Sequence, residues 1–212
     1  MQVEFVTSVN DALRLEYADK TMRTWQQVPE IFTDEELDQD AVWRAWREKN
    51  THMPNTPFER EWRRFSYKAQ AQCRAYHRFK TESRYMIWMD ADVRQLKCWQ
   101  AEDLAEWLPQ TEFVCWLGRG LHQHPETGFI AYDLEHVDAP RFFEAFEQEY
   151  VCDHIWSRAQ WHDAYVWNCV RLEQGVSHRD LGPGRPGEAF GRSVLRRHWQ
   201  HLKGARKYQC ID

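Results

Sequence analysis

None of the six cysteines, Cys73, Cys98, Cys115, Cys152, Cys169 and Cys210, stands in a C-x-x-C pair. A zinc site and a disulfide framework are therefore not expected, and the thiols are read as reduced. No apolar run approaches the roughly 20 residues that cross a bilayer, and the first residues are neither basic nor apolar enough for a signal peptide. These absences point to a soluble, cytoplasmic chain without membrane insertion. Glycine is missing from Thr7-Ser-Val-Asn10, directly after the first apolar stretch. A nucleotidyltransferase would carry a glycine-rich, basic phosphate loop there, so that class is disfavoured. There is no internal repeat and no low-complexity tract. With 212 residues, 42% hydrophobic and 29% charged, the chain can bury one sizeable core, and a single domain over 1–212 is expected.

Arg84-Tyr-Met-Ile-Trp-Met-Asp-Ala-Asp-Val93 is the most informative stretch that is present. Tyr85 to Met89 read as a buried central strand, and such strands end at the ligand crevice of open α/β sheets. Asp90 and Asp92 would sit at that mouth. Two carboxylates separated by one residue face the same way only where the backbone leaves strand geometry. As hard oxygen ligands they suit Mg2+ or Mn2+ bridged to phosphate. A bare Asp-x-Asp is otherwise a solvated turn.

At the C-terminus, His201-Leu-Lys-Gly204-Ala-Arg-Lys207 sets a histidine, a glycine and a lysine at spacings of three. An imidazole completes the coordination of a borderline metal, a glycine admits phosphate close to the backbone, and a lysine places a point charge on a diphosphate. The bland alternative is a basic tail.

The two motifs together resemble the GT-A glycosyltransferases, in particular the retaining group of glycogenin and the bacterial lipopolysaccharide galactosyltransferases. That group pairs a strand-end Asp-x-Asp with a late His-x-x-Gly-x-x-Lys. The resemblance implies a single Rossmann-like α/β domain with a mixed central sheet flanked by helices, and a UDP-hexose donor. It implies Thr7 and Ser8 on the nucleoside, Asp90, Asp92 and His201 on the metal, and Gly204 and Lys207 on the diphosphate. His124-Pro-Glu126-Thr-Gly128 resembles the family's turn into a strand beside the sugar. Trp161-His162-Asp163 resembles its helix start near sugar and acceptor. Tyr208-Gln209 replaces the usual Pro-Trp, and Ala164 stands where glutamine would follow Asp163. The family's particular substrates and its retention of configuration are therefore not carried over.

The remaining organisation alternates. Asn10 or Asp11 can cap a helix with Leu13, Tyr17, Thr21 and Trp25 on one face. Asp34 to Asp38 lead into a helix with Trp43 and Trp46. The loop 53–57 precedes a long helix from about Phe58 to Phe79. Glu112 to Leu117 and Gly128 to Leu134 read as strands, and Ala139 to Tyr150 and His162 to Leu172 as helices. The Gly/Pro segment within 173–190 forms a loop before the terminal motif, either a lid hinge or an inert connection.

Charge is uneven. Between Arg60 and Arg84 eight basic residues face two acidic ones, and from Arg171 to Asp212 nine face four, against a whole-chain charge of -5. Part of this field serves the donor, with Lys68 a candidate. The surplus, including Arg63 and Arg74, reads as a grip on a polyanionic acceptor, and with twelve tryptophans a hydroxymethylated DNA base is the expected target. If the tryptophans are core and the arginines a solvated face, a glycan or lipopolysaccharide acceptor takes its place. A noncatalytic DNA- or sugar-binding module would leave the matched metal motifs without a purpose. Chemically, Lys207 would stabilise the leaving diphosphate. Asp163 or Glu126 could act as base on the acceptor hydroxyl, or position the sugar in a retaining reaction. Asp163 could equally be a helix N-cap, and His162, His122 and His124 are weaker candidates, the last two as a metal pair.

Overall fold

The computed structural model describes residues 2–120, 124–182 and 188–203. Gly204, Lys207 and His122 lie outside the described residues, as do 183–187 of the Gly/Pro segment. In chain order the elements are β1 (Val3–Val9), α1 (Asp11–Leu13), a π turn at Arg14–Ala18, α2 (Asp19–Met22), β2 (Glu30–Thr33), α3 (Asp34–Leu37) and α4 (Ala41–Lys49). A 3-10 turn (Phe58–Arg60) leads into α5 (Trp62–Phe79), followed by β3 (Tyr85–Met89), β4 (Val93–Gln95) and α6 (Ala101–Trp107). β5 (Val114–Leu117), β6 (Glu126–Asp133), α7 (Ala139–Val151), α8 (Asp163–Glu173), β7 (His178–Asp180), α9 (Ala189–Arg192) and β8 (Trp199–His201) complete the described chain.

Six strands form a mixed sheet in the order β2-β1-β3-β6-β5-β7. β1 lies parallel to β2 and β3, β6 runs antiparallel to β3 and β5, and β7 is parallel to β5. β4 and β8 form a separate antiparallel pair. From β1 the chain builds β2 on one side and β3 on the other. The carboxyl ends of β1 and β3 are thus the switch point at which an open α/β sheet takes its ligand.

The apolar runs follow from burial on both faces. Met86, Trp88, Ile130 and Tyr132 join a core cluster with α5, α7 and α8, while Tyr85, Ile87, Met89, Phe129 and Ala131 join a second one with Trp107, Phe190 and Trp199. Alternate residues of one strand feed opposite layers, so no polar face interrupts the run. Helix α5 buries Trp62, Phe65, Ala69, Cys73 and Tyr76 at spacings of three and four, which leaves Lys68 at the margin of the buried stripe.

Several expectations shift. Asn10 does cap, its side chain accepting from the Leu13 N–H at 2.9 Å, but the helix is interrupted by the π turn and stops at Met22. Trp25 instead donates its indole N–H to the Val93 carbonyl at 2.7 Å, which ties the segment to β4. All twelve tryptophans are buried or half-buried. An exposed tryptophan surface for stacking nucleic-acid bases is thereby overturned, because the indoles pack against one another and against the sheet. Among the described residues no helix is long and apolar enough to cross a membrane.

Candidate functional site

β3 ends at Met89, and the chain turns at once. The Asp90 N–H donates to the Gly128 carbonyl at 3.0 Å and the Val93 N–H to the Asp90 carbonyl at 2.9 Å. This turn lets carboxylates two residues apart face one space. It also starts β4, whose Val93 pairs with His201 of β8. The distant histidine is so delivered beside the aspartates, its Nε2 2.9 Å from Asp92 Oδ1. One ligand atom from each of Asp90, Asp92 and His201 lies within 4.8 Å of the others. Two carboxylate oxygens and one imidazole nitrogen are a donor set that fits manganese or magnesium. Behind the imidazole, Nδ1 faces Glu126 Oε1 at 3.5 Å, an electrostatic approach without a hydrogen bond.

Lys68 reaches in from α5. Its Nζ lies 2.7 Å from Asp90 Oδ1 and 2.8 Å from Asp163 Oδ2, and donates to the Thr127 carbonyl at 2.9 Å. Burial opposes the charge on Lys68, but Asp163 and Asp90 outweigh it and hold its pKa above the ordinary lysine value. Burial likewise pushes Asp163 upward, yet Lys68 and the Thr127 hydroxyl, which donates at 2.5 Å, bring it below the usual carboxylate range. The Trp88 indole donates to Asp90 Oδ1 at 2.9 Å.

Glu126 is the second charged hub. It accepts from Arg119 and Lys203 at one oxygen and from the Gly128 N–H at the other, at 3.2 Å. Burial pulls Arg119 down despite Asp163. Burial and the neighbouring Arg119 guanidinium bring Lys203 to about 8 despite the carboxylates around it. Glu126, expected as a base, is thus held in an ion-pair cluster by two cations at one oxygen. Asp163, nine-tenths buried and bound to Lys68 and Thr127, is unsuited to take a proton from an acceptor. It is not the N-cap of α8 either, because His162 Nδ1 accepts from the Tyr165 N–H at 3.3 Å in that role.

A cleft of about 1270 Å³ joins these groups, bounded by Ser8 and Asn10, Lys68, the Asp90–Asp92–His201 corner, Glu126 and His162. Ser8, Lys68, Arg63, Asp163 and Lys203 therefore share one space. Thr7 does not: it is fully buried and alternates away from the cleft. Arg74, expected to grip the acceptor, lies outside the cleft lining and donates to the Glu36 carbonyl at 2.9 Å, facing its carboxylate at 3.7 Å. His124 bonds Gln160 at 3.1 Å, with no place in the metal corner. Sequence reasoning overlooked Arg119, Lys203, Thr127 and Gln160. Lys203 and Thr127 stand inside motifs already singled out, whereas Arg119 follows β5 with no local signal.

No protein-family model and no curated protein sequence matches this chain. Solved structures do. A glycosyltransferase involved in the glycosylation of the major capsid of PBCV-1 aligns over 99% of both chains at 12% identity, with a TM-score of 0.56. Mouse xyloside xylosyltransferase 1 in its apo form aligns over 86% of both chains at 9% identity, with a TM-score of 0.52. The chain thus has the mixed α/β fold of GT-A glycosyltransferases.

Proposed function

We propose that this protein is a divalent-cation-dependent glycosyltransferase that moves a hexosyl group from a UDP-hexose to an acceptor hydroxyl. The observation that carries the reading is the convergence of Asp90, Asp92 and His201 at the switch point of a glycosyltransferase fold. Those three would hold Mn2+ or Mg2+, which when bound supplies positive charge against the diphosphate of the donor.

The chain's own residues supply the rest. Ser8 and Asn10 at the end of β1 form the nucleoside end of the cleft, and Lys203 and Arg119 form a cationic wall beside the metal corner. These cations are positioned to offset charge on the departing diphosphate. Gly204 and Lys207 keep in this reading the diphosphate role that the motif implies for them. Lys68 fixes Asp90 and Asp163 relative to each other, so Asp163 orients the donor sugar as a permanent anion and leaves proton transfer to another group. A cytoplasmic location belongs to the same proposal.

For the acceptor, a glycan hydroxyl is favoured by the aromatic wall around His162. A hydroxymethylated DNA base is the second reading, carried by exposed Arg63 on the cleft. The test is donor hydrolysis across a panel of nucleoside-diphosphate sugars with and without manganese. Cation-dependent release of UDP from a UDP-hexose is expected. No release from any donor, or equal release in excess chelator, would overturn the assignment.

A further inference from the structure

Beside His162, which precedes Asp163, the cleft wall is built from rings. Phe58 packs against His162 at 5.2 Å and edge-on against Phe65 at 5.4 Å. His124 lies 5.1 Å from His162 and 4.9 Å from Tyr165. These contacts hold the Phe58 ring by its neighbours while leaving the residue 51% exposed, and it borders the cleft. The Phe58 ring therefore offers a held apolar face at the border of the cleft.

Gln160 borders the same wall. The His162 Nδ1 accepts from a backbone N–H, so its Nε2 carries the proton and donates to Gln160 Oε1 at 2.8 Å. His124 Nε2 meets the same oxygen at 3.1 Å. With the carbonyl oxygen taken up by two imidazoles, the amide is fixed in orientation. Among the described residues no acceptor meets its Nε2, so its two N–H groups are open to solvent or to a ligand in the cleft.

Charge selects the ligand class. Burial lowers both His124 and His162, leaving them neutral at pH 7. Glu59 adds a negative charge to this wall. Arg64 is already paired with Glu61 at 2.9 Å and stacked on Phe65 at 4.5 Å, and Arg60 stacks on Trp161 at 4.2 Å. A pyranose ring presents an apolar C–H face and a rim of hydroxyls, the complement of an exposed ring beside a fixed amide donor.

We propose that Phe58 and Gln160 form the acceptor subsite for a neutral pyranoside, whose ring stacks on Phe58 while a hydroxyl accepts from the Gln160 amide. The subsite rests on the glycosyltransferase reading and names its acceptor class. His162 precedes Asp163 in the chain, so the stacked sugar is held next to the group that orients the donor. His124 and His162 are positioning residues for Gln160.

The test titrates the protein with a panel of methyl hexopyranosides and methyl pentopyranosides by saturation-transfer NMR, with diamagnetic magnesium and UDP present, and separately measures transfer from the best UDP-sugar. At least one glycoside is expected to bind. Phe58→Ala should weaken it about tenfold, the scale of one lost aromatic contact, Phe58→Trp should restore it, and Gln160→Leu should also weaken it. In transfer assays the acceptor KM should rise by the same factor relative to the donor KM. Absence of glycoside binding to the wild type, indifference to Phe58→Ala, or transfer confined to a hydroxymethylcytosine oligonucleotide would each overturn the subsite. Phe58-dependent glycoside binding without hydrolysis or transfer of any donor would instead uphold the subsite and refute the transferase.

Discussion

Lys68 and Asp163, 95 positions apart in the sequence, meet at 2.8 Å in the wall of the cleft, with side-chain exposures of 12% and 5%. The pair fixes α5 against the start of α8, and Asp90 completes a lysine held between two carboxylates. Removing one partner of a buried pair strands the other without water or counter-charge, at a cost of about 3 kcal/mol or more. Lys68→Met should therefore lower the free energy of unfolding by about 3 kcal/mol, measured by urea denaturation. The double variant Lys68→Met/Asp163→Leu should recover part of that loss. A single variant as stable as the wild type would show that the ammonium is not the counter-charge.

The metal corner makes a separate prediction. Asp92→Ala removes one of three ligands while leaving β3 and its neighbours packed, so manganese binding measured by calorimetry should weaken at least tenfold without loss of the thermal unfolding transition. Excess chelator on the wild type should reproduce the variant's loss of donor binding. Undiminished donor turnover in chelator would falsify the ligand assignment.

Much of this centre was legible before any coordinates. Tyr85 to Met89 announce a strand by an unbroken apolar run, and the Asp90, Asp92 and His201 residue types are those of a candidate metal-ligand set. What the sequence could not convey was the device that unites them, because β4 and β8 are three residues each and too short to create a periodic signal. β7 was hidden for the same reason. Acidic and basic residues are also ambiguous until partnered: Glu126 has the composition of a base and the surroundings of an anchor, and Arg74 has the composition of a phosphate contact and a bond to Glu36. Thr7 failed by parity, since one step along a strand exchanges cleft for core. Tryptophan count alone misled about a stacking surface, since the same indoles serve a core.

Gly128 tests how tightly His201 is held. A Cβ at Gly128 would lie 2.8 Å from His201 Cε1, 3.0 Å from Nδ1 and 3.2 Å from Glu126 Oε1, so Gly128→Ala must displace the imidazole from its carboxylate. Manganese affinity should fall about tenfold, the scale of disturbing the group behind a ligating histidine. Gly191→Ala, whose added carbon would meet nothing closer than 3.8 Å, should leave affinity within twofold. Equal affinities for the two variants would show that the ring has room to move.

Asp34 predicts how stability depends on pH. It stands first in α3 and borders the cleft. Burial, reinforced by Glu35 and Asp38, lifts its pKa from the ordinary 3.8 to about 6, against the pull of Arg47 and Asn10. Because the folded pKa lies above the unfolded one, folding favours the protonated acid. Its contribution is complete below about pH 4 and is lost as pH rises through 6. Asp34→Asn cannot lose it, and the helix keeps its cap because Thr33 accepts from the Glu36 N–H at 3.1 Å. The melting temperature of Asp34→Asn relative to wild type should therefore be near zero at pH 4 and grow more favourable toward pH 7, with the steepest change between pH 4 and 6. A difference that stays constant over that window would show that Asp34 titrates as an ordinary surface carboxylate.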